Sequence, residues 1–183
     1  MSDTDLRSFW NAPTSDPKRK FRWFVEMTPA RGGGETLWVA AKTIDKPSFE
    51  IENTQHQFIN HQFNFPGRVK WNGINATFVD LASSAEGGLD VGSVFYSMLE
   101  GSGYEFPRGA DACKISITKE QAVAAFGPQF TINQVDADGN PVETWRLVNP
   151  WITTLEFGNL DYGDEGLVEI NVSIVFDWAE KVR

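Results

Sequence analysis

From Val168 to Trp178 apolar side chains take every second position: Val168, Ile170, Val172, Ile174, Phe176 and Trp178. Glu169, Asn171, Ser173, Val175 and Asp177 stand between them. A period of two predicts a β-strand with one covered face and one wet face. The same period recurs where Phe21, Trp23, Val25 and Met27 alternate with Arg22, Phe24 and Glu26. After a flexible RGGGE turn, TLWVAAKTID (36–45) predicts a second strand, so 20–45 reads as a hairpin. RVKWNGINATFVD (68–80) is strand again, with a phase slip at Asn72-Gly73 that suggests a β-bulge. QFTINQVDADGNPVETWRLVN (129–149) predicts a hairpin turning at Asp138-Gly139, and WITTLEFGNLDYG (151–163) follows it.

Helical spacing governs one stretch. Val91, Val94, Phe95, Met98 and Leu99 line one face of 89–101, and Gly101 is a stop signal, so this is the one main amphipathic helix. Residues 112–127 mix a short strand with one or two helical turns. Residues 1–19 are polar, contain Pro13 and Pro17, and read as an N-terminal arm. In the segment 46–67 the opening KPSFEIE can be read as strand, and the rest is polar with isolated Phe58, Phe63 and Phe65. A connection this long is functional or carries structure of its own. The chain reads as mainly antiparallel β with one main helix, forming a single domain over 20–183.

Composition narrows the function. Seven Trp and fourteen Phe in 183 residues supply rings for a core and also for interfaces. A loop and arm that carry aromatics outside the strands fit packing on another copy of the protein. The formal net charge of −9 argues against a protein that grips phosphates, but not against one past which a polyanion slides. The lone Cys113 fits a reducing compartment. The opening MSDTDLRSFW lacks an apolar run, so no secretory signal is expected there. No stretch approaches the length of about eighteen apolar residues that a membrane span needs. Synthesis in a cytosol is expected.

Candidate chemistry is sparse. His56 and His61 are five apart, which matches no metal-ligand spacing, and solvated loop histidines are the default. DADGN (136–140) has a calcium-loop look, but its twelfth position is Leu147 and a tight turn is favoured. The GGG at 32–34 is followed by Glu35 and a strand instead of the Lys and helix of a phosphate loop. Cys113 and Ser83-Ser84 have no base in motif spacing, and Asp161, Asp164 and Glu165 read as a solvated turn. No catalytic residue, metal ligand or cofactor is expected.

Five stretches carry a resemblance: FWNAP…KRKFRWFVEM, KPSFEI, HQFNFPGRVKWNGINATFVD, the hairpin leading through Trp145 to LVNPWITTLEFGNLDYG, and VEINVSIVFDW. Together they resemble the tail tube proteins of contractile-tailed, T4-like bacteriophages, whose fold is shared with the haemolysin-coregulated protein of type VI secretion. The resemblance implies two packed antiparallel sheets, a β-sandwich or barrel, with a flanking helix. It implies rings of six whose inner strands join into one barrel, stacked as a tube inside the sheath. It implies as partners the chain itself, the sheath protein, the tape measure protein, baseplate and terminator proteins, and DNA that passes without specific binding. The location implied is the virion, after assembly in the host cytoplasm, with no membrane insertion.

In that frame Glu169, Asn171 and Ser173 face the lumen, and the expectation extends to Glu26, Asn75 and Thr77. Arg22 and Lys70 fall in the same phase and would weaken repulsion of phosphates locally. The 46–67 loop, through Phe58, Phe63 and Phe65, is the expected ring-to-ring contact, with Phe9 and Trp10 of the arm as a second candidate. The same fold serves baseplate proteins that seed the tube and secretion-system tube subunits. A monomeric β-barrel holding a ligand among its aromatics is the alternative of a different class.

Overall fold

The computed structural model describes residues 17–28, 37–38, 41–81, 90–106, 116–127 and 129–182. Its strands are β1 (Trp23–Met27), β2 (Leu37–Trp38), β3 (Ala41–Ile44), β4 (Ser48–Phe58), β5 (His61–Asn72), β6 (Ile74–Val79), β7 (Phe130–Val135), β8 (Pro141–Val148), β9 (Trp151–Glu156), β10 (Glu169–Val175) and β11 (Trp178–Lys181). Its helices are α1 (Val91–Gly101) and α2 (Lys119–Phe126). All strand pairs are antiparallel. One sheet has five strands in the order β11-β8-β7-β1-β2, a second has four in the order β3-β6-β10-β9, and β4 and β5 pair with each other alone.

The alternation read from the sequence sets which face is buried. In the four-stranded sheet Ile74, Ala76 and Phe78 of β6 and Ile170, Val172 and Ile174 of β10 are all buried. In the five-stranded sheet Val25 and Met27 of β1, Phe130 and Ile132 of β7 and Leu147 of β8 are buried as well. These faces share one hydrophobic core. Burying a side chain of this size contributes about 1.5–3 kcal/mol.

α1 closes the core. Its buried residues Val91, Val94, Phe95 and Met98 recur at helical spacing, and Phe95 meets Phe78 of β6 at 5.1 Å between ring centroids. Asp90 caps it by accepting from Gly92 N at 3.0 Å, and hydrogen bonds led by the one from the Ser93 hydroxyl hold its carboxyl below the usual range. The helical turns expected within 112–127 form α2, capped by Thr118 and burying Ala125 and Phe126, with Phe126 5.5 Å from Phe130.

Two long strands of the sequence reading prove to be pairs that change sheets. TLWVAAKTID supplies β2 to the five-stranded sheet and β3 to the four-stranded one. The final alternating stretch does the same: β10 ends at Val175 and β11 begins at Trp178 in the other sheet. Trp178, expected on the covered face, is therefore 44% exposed. The β8–β9 connection turns at Asn149, with φ 52°, beside that corner. Asn149 Nδ2 donates to Asp177 Oδ2 at 2.8 Å, Lys119 Nζ donates to Asp177 Oδ1 at 2.7 Å, and Asp177 N donates to Val148 O at 3.0 Å. The bonds from Lys119 and Asn149 hold the Asp177 carboxyl below its usual range. One carboxylate thus pins two corners and a helix end.

Candidate assembly surfaces

The open face of the four-stranded sheet is the first surface. Register pairs Glu169 with Val79, Asn171 with Thr77 and Ser173 with Asn75. On the other flank Asn171 pairs with Glu156 and Ser173 with Thr154. Five of the six residues expected to face a lumen, Glu169, Asn171, Ser173, Asn75 and Thr77, therefore share one face. Their short polar side chains bond to one another across strands. Thr77 Oγ1 donates to Asn171 Oδ1 at 2.9 Å, Ser173 Oγ donates to Asn75 Oδ1 at 2.9 Å, and Asn75 Nδ2 donates to Asp45 Oδ2 at 3.2 Å. Lys42 bonds to Glu169 Oε1 at 2.5 Å. Val175, an apolar member of this face, lies against Gly73, where a Cβ would meet its Cγ1 at 3.3 Å.

Glu26 is the exception. It stands in β1 of the five-stranded sheet, where Thr131 Oγ1 and Asn133 Nδ2 donate to its Oε2 at 3.0 and 3.2 Å. Sharing the alternation phase does not place residues in the same sheet, so Glu26 is not part of the face that holds the other five. Arg22 precedes β1, and Lys70 lies opposite Glu50 in the β4–β5 pair, so neither belongs to that face.

The five-stranded sheet also holds the most perturbed carboxyl. Glu143 and Gln134 are buried and paired in register at the end of β7 and β8. Glu143 bonds Lys18, Lys46 Nζ at 2.9 Å and Trp145 Nε1 at 2.6 Å. Burial pushes its carboxyl up, but these three bonds outweigh it and bring the pKa down to about 2. Gln134 Nε2 also donates to Arg19 O at 3.1 Å. The end of the arm is thereby fastened to the sheet, while Phe9 and Trp10 lie outside the described residues.

The second surface is the 46–67 segment, and it is not a loop. Ser48–Phe58 and His61–Asn72 form a hairpin whose residues from Ser48 to Lys70 are all exposed. Its two-residue turn holds Ile59 at φ 52° with 85% exposure. Thr54 lies opposite Phe65, His56 opposite Phe63 and Phe58 opposite His61. Phe58, Phe63 and Phe65, expected to make one contact, thus come together on one face with both histidines between them. Nearer the body Phe49 lies opposite Trp71 and Ile51 opposite Val69. The proposed bulge at Asn72-Gly73 is instead the point where the chain leaves the hairpin for β6. The bulge of the hairpin lies farther out, where Glu52 stands opposite Gly67 and Arg68.

A third surface was not singled out as apolar in the sequence. The 157–168 connection exposes Phe157, Leu160, Tyr162 and Leu167. With Lys42, Val79 and Glu169 it borders an open cleft of about 1000 Å³ at one end of the polar face. Gly158 starts it at φ +79°, where a Cβ would sit 2.6 Å from Glu169 O, so only glycine fits without displacement. Asp161 and Asp164 accept from the amides of Gly163 and Gly166, which is turn chemistry. Lys42, Thr154 and Glu156 complete the polar face. Alternation in WITTLE puts Thr154 and Glu156 in one phase, but Thr153 breaks the register between them and Ile152.

No group of three or more metal-ligating side chains occurs among the described residues. DADGN is the β7–β8 turn: Asp136 Oδ1 accepts from Asp138 N and Asn140 N, and Gly139 takes φ +84°. Among the described residues no helix is long and apolar enough to cross a membrane.

No family model matches the sequence, and no curated protein does. Solved structures do match it in fold. A chain in the cryo-EM structure of the anti-feeding prophage baseplate superposes with a TM-score of 0.66 at 14% identity, covering 92% of this chain and 97% of that one. A chain in the sheath–tube complex of the extracellular contractile injection system PVC, in its extended state, gives 0.60 at 12% identity over 99% and 97% of the two chains. A chain in the tube-terminating cap of the anti-feeding prophage gives 0.60 at 12% identity over 93% and 97%. At such identities the likeness carries the fold alone, and the fold is the tail tube fold.

Proposed function

We propose that this chain is a structural, non-enzymatic subunit that assembles with copies of itself into a tube. The observation that carries the reading is the polar face of the four-stranded sheet, with two edge strands, β3 and β9, available for strand addition. Adding β3 of one copy to β9 of the next would remove both edges. Six copies would close a barrel of about 24 strands, large enough to leave a channel instead of a filled interior. With strands about 4.8 Å apart, its backbone would be roughly 40–50 Å across. Glu169, Asn171, Ser173, Asn75 and Thr77 would line that channel. Glu156, Glu169 and Asp45 outnumber Lys42 there, so a nucleic acid would be repelled more than held.

The finer reading is a virion tail: hexameric rings stacked as the inner tube of a contractile tail, enclosing a tape measure protein and then conducting DNA. Its outer partners would be sheath, baseplate and terminator proteins. Stacking would use the exposed hairpin. A position within a baseplate is a second reading, since a chain of this fold stands in the anti-feeding prophage baseplate structure. Electron microscopy of the concentrated protein, with its mass in solution, tests the proposal. Rings or hollow tubes are expected. A monomer at every concentration, with a small molecule bound among its aromatics, would return the chain to the ligand-binding class.

A further inference from the structure

The hairpin bulge sorts apolar side chains onto two faces. Phe63, Phe65, Val69 and Trp71 are all odd-numbered, and an unbroken strand would set them on one face. The extra residue of β5 at Gly67-Arg68 shifts the phase. Val69 and Trp71 therefore join Phe49 and Ile51 on one face near the body, while Phe63 and Phe65 join Phe58 on the opposite face near the tip. Gly67 permits this closure, since a Cβ there would lie 2.9 Å from Glu52 O. Trp71 is tied inward, 5.3 Å from Phe49 and 6.0 Å from Phe176 between ring centroids. The others on both faces are at least half exposed.

We propose that the hairpin docks two different copies of this chain, one on each face. The face near the body is covered by the adjacent copy in the same ring, and the tip face by a copy in the next ring. The inference rests on the tube reading and adds to it a division of labour within one hairpin. Three observations support it. The two faces together expose about 700 Å² of apolar side chain, counting the turn, so each supplies up to roughly half of the about 800 Å² per partner that a stable interface buries, the remainder coming from the rest of each subunit. Residues 53–66 contain no Asp, Glu, Lys or Arg, so chains of net charge −9 can meet there without opposing like charges. Only residues 45–47 separate the edge strand β3 from Ser48, which sets the near face beside that edge. The tip lies about 23 Å farther along, at roughly 3.3 Å per residue from Ile51 to Phe58, beyond the reach of that edge.

The test compares two double variants of the full chain by electron microscopy and solution mass, with circular dichroism to confirm folding. Phe63→Ser with Phe65→Ser, on the tip face, should form closed rings that do not stack. Ile51→Asn with Val69→Asn, on the near face, should form neither rings nor tubes. Gln55→Arg, on the polar side of the tip, should assemble as the unaltered chain does. If a double variant loses its circular dichroism, the milder Ile51→Thr and Phe63→Thr carry the same comparison. Tubes from either face variant, or rings from the near-face variant, would overturn the division. So would loss of stacking in Gln55→Arg. An unaltered chain that never leaves the monomer would instead sink the tube reading itself.

Discussion

Glu143 shows how a single residue fastens the start of the domain. It is buried, and it bonds Lys18, Lys46 and Trp145 at once. Its pKa is about 2 in the folded protein, below the ordinary 4.5. A lowered carboxyl stabilises the fold fully above the unfolded value, and this contribution fades as pH falls toward the folded one. Glu143→Gln should therefore cost about 2 kcal/mol at pH 7, through a lost charge-assisted network. Thermal melts of both proteins at pH 7, 4 and 2.5 would check this, with the gap expected to narrow below pH 4.5. A gap that stays constant to pH 2.5 would show that the charge contributes nothing. In the sequence Glu143 looked like any strand carboxylate. Its partners are up to 125 residues away in sequence, which no local pattern can reveal.

At the scale of elements, alternation was legible because the side-chain period of a strand is two. It correctly separated Ile170, Val172 and Ile174 from Glu169, Asn171 and Ser173. It failed where a strand changes sheets, since the period runs unbroken through Phe176 and Trp178 while the chain turns a corner between them. It failed again in the hairpin, because a strand with solvent on both sides has no face to mark. The turn of that hairpin carries a local conflict. Ile59 is β-branched, yet it sits at φ 52°, a conformation such residues rarely take. Ile59→Gly should relieve about 1 kcal/mol of strain. Amide hydrogen exchange near the tip of the isolated subunit is then expected to slow about five-fold. Unchanged exchange would mean that the turn is not strained.

For the whole molecule, the fold was legible through the resemblance, and the matching structures share that fold over nearly their full lengths. The separation of Glu26 from the other five residues was not legible, because phase along a strand says nothing about which sheet receives it. Charge acts at this scale too. Glu169→Lys would add one positive charge and release Lys42, leaving two unpaired cations per copy on the polar face. Assembly should be unaffected, since the backbone of both edge strands is unchanged and Lys42 of β3 loses only an exposed ion pair. On the proposed virion reading, ejection of DNA from particles carrying the variant should slow several-fold, most strongly at low salt where screening is weakest. Ejection at the normal rate would remove Glu169 from the lumen.

The cross-strand bonds of the polar face have one more consequence. Thr77 is already committed to Asn171, Ser173 to Asn75, and Asn75 to Asp45. In the proposed tube a passing molecule could draw on the hydroxyl protons of Thr77 and Ser173 only by breaking a bond that exists. Sticking at these positions would therefore be shallow, and the profile along that part of the wall nearly level. Such a surface would work as a bearing: what moves along it meets friction set by water more than by protein.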